Sequence, residues 1–298
     1  MKLRFHIGFR QAVRSIPPLL FSLFIFLTML NSCTEIIEIE LDSTYTRLVV
    51  EGTVTTDSVC HAVQLTTTSD YFSNQSPPAV SGAVVELEFK ETRLLLEEHD
   101  TIPGWYLAPE AFRGVIGTTY ELHISQVDID QDGERESYHA SSTMPGGVLL
   151  DSIRINYFTS YFVNGYELYM YALDPPTRDW YGLKYWKNSD LLSDSLIKYN
   201  VQPDDFYNGK YLYYGIPIGF YADDEPREQL LPGDTVTLEL NSIEKDYYNF
   251  VIDAQLEIYE TSPMFSGPPA NVRSNIDNGA MGFFTAYSIE RASTMVPL

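Results

Sequence analysis

Val80-Ser81-Gly82-Ala83-Val84-Val85-Glu86-Leu87-Glu88-Phe89 is the stretch that decides the fold class. Val85, Leu87 and Phe89 recur at every second position, and Glu86 and Glu88 fill the places between them. Successive side chains of a strand point to opposite faces, so this spacing buries one face and wets the other. Runs of the same kind flank it. They cover 48–54 and 62–67 on one side, and 105–107, 119–124 and 136–141 on the other. The loop 73–78 (SNQSPP) and Gly104, Gly114, Gly117 and Gly133 punctuate them. Short strands at this spacing predict an antiparallel sandwich. We place this first domain at about 44–146, ending at the turn cluster Met144-Pro145-Gly146-Gly147.

A second domain, 147–298, opens with the strand-like Val148-Leu149-Leu150-Asp151-Ser152-Ile153-Arg154-Ile155 and is more aromatic. Thirteen of the 22 tyrosines lie between Ile153 and Tyr221, together with Trp180 and Trp186. One segment changes period. Ile243, Tyr247, Phe250, Val251, Ala254 and Ile258 recur at helical spacing, which predicts one amphipathic helix at about 242–260 laid on a sheet. Asn241 and Glu244 have the spacing of a capping box at its start. The expected class is therefore mainly β, with two antiparallel sandwich-like domains and one helix in the second.

The amino terminus carries an address. Lys2, Arg4, Arg10 and Arg14 precede the uncharged run LLFSLFIFLTML at 19–30, and Leu30-Asn31-Ser32-Cys33 follows. This is a secretory signal (1–32) joined to a lipobox, the site at which bacteria attach diacylglycerol to the cysteine sulfur and cleave before it. Twelve apolar residues fall short of the roughly 20 that a spanning helix needs. The acidic segment 33–43 reads as a tether. Export removes four basic residues, so the formal charge goes from −22 in the full chain to −26 in the mature one. That surface repels phosphate, which excludes nucleic acid as the expected partner. With Cys33 lipidated, Cys60 has no disulfide partner. Its alternating surroundings (Ser58 to Leu65) predict a buried, inert thiol.

Two constellations are candidates for binding. Asp128-Ile129-Asp130-Gln131-Asp132-Gly133-Glu134 places alternate carboxylates before a glycine. Asp128, Asp130, Asp132 and the Glu134 carbonyl can wrap Ca²⁺, whereas the commoner role of such a run is a solvated hairpin tip. His139 stands where an EF-hand needs its bidentate glutamate, so this is no EF-hand. Trp180, Tyr181, Tyr185, Trp186, Tyr211, Tyr213 and Tyr214 offer amphipathic rings for a sugar or a protein partner, or equally a sandwich filling. No nucleophile elbow, phosphate loop or zinc motif occurs. His61, His99, His123 and His139 are spread along the chain without paired metal spacing. No catalytic residues are expected.

In order along the chain, the lipobox Cys33, Leu48-Val49-Val50-Glu51-Gly52, Val80-Ser81-Gly82-Ala83-Val84-Val85 and Gly117-Thr118-Thr119-Tyr120-Glu121-Leu122 resemble domain-of-unknown-function family 4249. The closing Pro268-Pro269-Ala270-Asn271-Val272-Arg273-Ser274-Asn275-Ile276, with Gly279 and Gly282-Phe283-Phe284, does so too. The family comprises lipoproteins of Bacteroidota cell envelopes. The resemblance implies a lipid-anchored protein of the outer membrane, encoded beside a TonB-dependent receptor and acting as its non-catalytic accessory. A structural or adhesion protein of the envelope, stabilised by Ca²⁺, is the alternative. The strands 80–89 and 117–124 also resemble a carboxypeptidase-regulatory or transthyretin-type sandwich, a likeness of fold alone. The amino-terminal reading is tested directly. Mass spectrometry of the mature protein should find a diacylated Cys33 at its N-terminus. Fatty-acid labelling that persists in Cys33→Ala would refute it.

Overall fold

A computed structural model describes residues 46–69, 75–130, 132–159, 161, 164–212, 218–221, 225–259 and 272–298. The signal, Cys33 and the tether lie outside the described residues, as do Tyr213 and Tyr214. The alternating segments become strands: β1 (Leu48–Thr55), β2 (Ala62–Thr67), β3 (Val84–Phe89), β4 (Thr92–Glu98), β5 (Trp105–Leu107), β6 (Thr119–Val127) and β7 (Glu136–Thr143). The aromatic half supplies β8 (Leu149–Thr159), β9 (Asn164–Leu173), β10 (Trp180–Lys187), β11 (Asp190–Leu191), β12 (Asn200–Pro203), β13 (Ile218–Tyr221) and β14 (Thr235–Ile243). Helix α1 (Lys245–Tyr259) and the long final strand β15 (Met281–Met295) complete the order. The protein is mainly β with one α-helix among the described residues, as the periods require.

Twelve strands form one sheet in the order β11-β10-β14-β15-β1-β2-β5-β4-β3-β6-β7, with β12 also paired to β10. A three-stranded sheet, β13-β9-β8, stands apart from it. Residues 45–298 form one compact unit. It holds two hydrophobic clusters. The first gathers the inward positions of β1 to β7, including Val50, Leu65, Val85, Leu87, Leu122 and Ile124. Ile276, Ala280, Phe284 and Ala286 from the far end of the chain complete that cluster. The second joins Ile153, Leu168 and Met170 of the small sheet to Tyr181, Leu183, Val236, Leu238 and Leu240 of the large one. Each fully buried Val, Leu, Ile or Phe is worth roughly 1.5–3 kcal/mol, against about 0.2–1 kcal/mol for an exposed ion pair. The clusters, not the surface charges, decide the fold.

β15 is long enough to serve both clusters. Its first half pairs β1 in parallel, from Val49 opposite Met281 to Thr55 opposite Tyr287. Its second half pairs β14 antiparallel. The parallel ladder departs from the expected all-antiparallel pairing, and the sheet is mixed. The reason is long-range: a strand from the end of the chain enters beside the first one, which period-two patterning cannot reveal. Two glycines make the close approach work. Gly282 has φ +91°, and a Cβ there would lie 2.1 Å from the Val50 carbonyl oxygen. A Cβ on Gly52 would lie 2.9 Å from the Phe284 ring, which is fully buried.

Side chains also bind β7 to β15. The Ala286 N–H donates to Ser142 Oγ at 2.8 Å, and Ser142 Oγ in turn donates to Glu244. Asn275 accepts from the Phe284 N–H at 2.9 Å and donates to the carbonyls of Phe284 and Ser141 at 2.7 and 3.1 Å. Arg291 of β15 reaches Asp57 through two bonds of 2.8 and 2.6 Å and Glu239 at 2.8 Å. Those bonds hold the Asp57 carboxyl below the usual carboxylate range.

Three local expectations are corrected. Asn241 is not a helix cap: it is buried within β14, opposite Gly182 and Ile289. Glu244 does not reach back to it but accepts from Ser142 and from the Thr143 N–H, so tertiary partners outcompete the local box. Cys60 is exposed. Strand parity gives the inward place to His61 instead, which is 5% exposed, meets the Phe112 carbonyl at 3.1 Å and packs on the Phe112 ring. On α1, Val251 is buried while Ile258, expected in the apolar stripe, is exposed.

Gly282→Ala should cost on the order of 3 kcal/mol, by adding left-handed strain to a collision with β1. Gly279→Ala, at φ +76° with open space around it, should cost only about 1 kcal/mol. Urea denaturation of the two variants measures the difference. Equal losses would show that the β1–β15 contact does not limit stability.

Candidate functional site

β10 carries four of the expected aromatic residues and divides them between its two faces. Tyr181 and Leu183 point into the second core, and Tyr185 packs against it. Tyr181 is 2% exposed, its hydroxyl donating to Asp174 at 2.6 Å, and burial raises its pKa far above the ordinary tyrosine value. It is a core residue with a buried polar partner. Tyr185 meets Phe220 edge-on at 5.9 Å. It also lines a groove of about 410 Å³ shared with Ile197, Lys198, Tyr199, Glu228 and Gln255. Within that groove Gln255 of α1 donates to the carbonyls of Leu196 and Tyr199 at 2.8 and 2.7 Å. Lys198 pairs with Glu228 at 2.5 Å.

The opposite face of β10 presents Trp180, Lys184 and Trp186, all half-buried. Trp180 lies between two cations, Arg178 at 5.7 Å and Lys245 at 6.0 Å from its ring centre. Such contacts are worth about 0.5–1 kcal/mol where water has access, and they hold the indole at the surface. Lys184 donates to the Tyr287 hydroxyl at 3.1 Å, over the rings of Tyr199 and Tyr287. Gly182 between them leaves room for Tyr199: a Cβ there would sit 1.9 Å from its hydroxyl oxygen. Tyr211 stands elsewhere, bridged to Leu173, with its hydroxyl donating to Asp151 at 2.8 Å. The structure thus brings Trp180 and Trp186 onto one face and Tyr181 and Tyr185 onto the other, and keeps Tyr211 apart.

The acidic segment folds as a tight loop between β6 and β7. Asp128, Asp130 and Asp132 are exposed, with one carboxylate oxygen of each within 4.8 Å of the others. They are occupied in holding the loop. Asp130 accepts from the Asp132 N–H at 3.3 Å, Asp128 from Gly133 at 3.2 Å, and Asp132 from Glu134 at 2.7 Å. This is the hydrogen bonding by which Asp residues stabilise turns.

Topology assembles two clusters that sequence spacing conceals. His123 and His139 are cross-strand partners in β6 and β7, their rings 4.9 Å apart, so two histidines sixteen positions apart do meet. Glu121 lies 3.7 and 3.9 Å from their Nε2 atoms. All three residues are half-buried, His123 Nε2 is enclosed without a hydrogen-bond partner, and the Glu121 distances are those of loose contacts. The second cluster is Asp174, Asp179 and Asp204, drawn together from the ends of β9, β10 and β12. No sequence interval relates these three. The only signal was their position at strand ends beside Pro175-Pro176 and Asn208-Gly209.

Residues 34–293 match the profile of the family described as domain of unknown function (DUF4249), and the chain belongs to that family. Among curated proteins no relative matches the chain. Family membership accounts for the ordered motifs and leaves the chemistry to be read from this chain.

Tyr181→Ala should lose roughly 3–5 kcal/mol of stability, as for a buried aromatic residue. Trp186→Ala, at a half-buried position, should lose distinctly less. Equilibrium unfolding of both variants would contradict the division of β10 into core and surface faces if the losses were equal.

Proposed function

We propose that this chain is a lipid-anchored protein of the bacterial outer membrane, of the Bacteroidota type. It serves, without catalysis of its own, as an accessory to a TonB-dependent receptor, docking with it, capturing a nutrient for it, or both. The observation that carries the reading is Leu30-Asn31-Ser32-Cys33 after an apolar run too short to span a bilayer. No described helix is long and apolar enough to cross a membrane.

A lipid anchor confines the domain to a membrane plane, where even a weak interface gains from high effective concentration. Fourteen residues separate Cys33 from Leu48, a reach of at most roughly 50 Å. Anchors for an interface are present in the second half. Phe206 is 89% exposed, Tyr157 is 59% exposed, and the half-buried Trp180 is held at the surface by its two cations. Exposed aromatic residues are the side chains that interfaces enrich. The first half we read as a carboxypeptidase-regulatory or transthyretin-type sandwich, which assigns no activity.

Mild-detergent pull-down on tagged, full-length protein tests the proposal. A TonB-dependent receptor should be recovered with wild type and less of it with Phe206→Ala. If folded, lipidated protein repeatedly returns no receptor, the transport role falls and a structural or adhesion role replaces it.

A further inference from the structure

Asp174, Asp179 and Asp204 form a largely buried acidic pocket. Asp204 is 0% exposed and Asp174 is 2% exposed, while Asp179 is half-buried. One carboxylate oxygen from each lies within 4.8 Å of the others. Among the described residues, no lysine, arginine or histidine pairs with any of the three; nearby Arg178 turns outward to Asp205 at 2.9 Å. Asp174 has two neutral donors, the Tyr181 hydroxyl at 2.6 Å and the Gly209 N–H at 2.9 Å. Asp179 accepts from Thr177 Oγ1 at 2.6 Å. Among the described residues Asp204 has none: both its carboxylate oxygens are buried without a hydrogen-bond partner, and the nearby Tyr207 hydroxyl is likewise unpartnered.

Burying a carboxylate without a partner costs several kcal/mol, and two like charges alongside add to that. A bound cation would relieve that cost. The surrounding backbone is built to hold one. The 174–180 segment is stiffened by Pro175 and Pro176, and the 204–209 turn is sewn to it. Asp204 N–H donates to the Asp179 carbonyl at 3.1 Å and Gly209 N–H to the Pro175 carbonyl at 3.0 Å. Asn208 Nδ2 donates to the Thr177 carbonyl at 2.7 Å. Gly209, at φ +69°, turns its N–H toward Asp174 where a Cβ would press on Pro176 at 3.3 Å.

We infer that Asp174, Asp179 and Asp204 bind a hard divalent cation, with Ca²⁺ the best fit, and that the ion fastens the 204–209 turn to the 174–180 segment. The converging side-chain ligands are all oxygens, which selects against soft metals. One oxygen from each acid lies within 4.8 Å of the others, close enough for all three to reach a single ion. Three acids exceed the one charge that a monovalent ion would balance. The fastened turn displays Phe206, which is 89% exposed, and borders Trp180, so the ion would set the geometry of an exposed aromatic residue in this half. This site is separate from the exposed loop that carries Asp128, Asp130 and Asp132, each of which accepts one amide bond of that loop.

Terbium luminescence, excited through neighbouring Tyr181 and Tyr207, tests the inference on purified mature protein stripped with chelator. One ion should bind per chain and be displaced by Ca²⁺ at concentrations where Mg²⁺ has no effect. Ca²⁺ should raise the melting temperature by several degrees and chelator should reverse the rise. Both responses should vanish in Asp204→Asn and persist in Asp130→Asn. Asp179→Asn, at the half-buried edge, provides the same test if Asp204→Asn does not fold. The inference is overturned if wild type shows neither response, if Mg²⁺ is preferred, or if the responses survive in the variant of the buried cluster. Loss in Asp130→Asn instead would move the ion to the exposed loop and equally overturn it.

Discussion

The parallel ladder between β1 and β15 is the constraint on which the rest of the structure depends. β15 is the only described strand that reaches both hydrophobic clusters: Phe284 and Ala286 belong to the first, and Ala292 packs on the second. Six consecutive residues, from Phe283 to Ser288, are buried, so both of its faces are covered there. One face is the first core. The other receives α1, whose Tyr247 and Phe250 lie 5.3 and 5.1 Å from Phe283. Removing this strand would expose the helix, open the first core and leave β14 and β1 as raw edges. Parallel pairing of the chain's two ends also means that the ladder closes only after nearly the whole chain has been placed, a loop-closure cost borne late in folding.

Edges elsewhere are managed by side chains. β7 ends the long sheet, and an unpaired edge invites association with another chain. Here Asn275 offers Phe284 a donor and an acceptor in place of a strand partner, while also holding the Ser141 carbonyl. Ser142 and Glu244 extend the seam to the start of α1. The half-buried Glu244 carboxyl is pushed up by burial, the cost of placing an acid where it can hold β7. At the other end, Arg291 neutralises Glu239, which is 3% exposed and would otherwise be an unpaired buried charge. Arg273 clamps Asp253 of α1 through bonds of 2.6 and 2.9 Å, tying the helix to the segment that leads into β15.

Local physics in the sequence was enough to locate most elements. Period two found β2 and β5 at their observed limits and the cores of β1, β3, β6 and β7, because each buries one face. Period 3.6 found α1 because its residues Tyr247, Phe250 and Val251 share a side. What failed were inferences that needed tertiary knowledge. Asn241 and Glu244 have cap-like spacing, yet strand pairing draws Asn241 into β14, where its Nδ2 donates to the Tyr199 hydroxyl, and Glu244 is taken by Thr143. Cys60 was assigned to an inward position that parity gives to His61. The same limit applies to sites. The Asp128–Asp132 cluster is contiguous and could be read directly, whereas Asp174, Asp179 and Asp204 come from three strand ends and meet only when β12 pairs with β10. Likewise His123 and His139 meet through strand register, at an interval that no metal motif uses.

Two of the motifs that carry the family resemblance, 48–52 and the described part of the closing one, meet in a single contact. Gly52 closes Leu48-Val49-Val50-Glu51-Gly52 and sits opposite Phe284; Gly282 sits opposite Val50. Asn275, from the closing motif, pairs with Phe284 by its side chain. Segments more than 200 residues apart in sequence are thus explained by a single contact: each supplies what the other needs to pack without a Cβ in the way. The reason for the two glycines is steric. Family membership therefore fixes the architecture while saying little of what the protein binds. The features with spare binding capacity lie outside those motifs, in the aromatic and acidic surroundings of β10. Trp180 is held at the surface there, Phe206 projects from the neighbouring turn, and the buried acids beneath lack a counter-charge. The scaffold secured by β1 and β15 does not itself involve these side chains, which is why the proposed recognition is sought around β10.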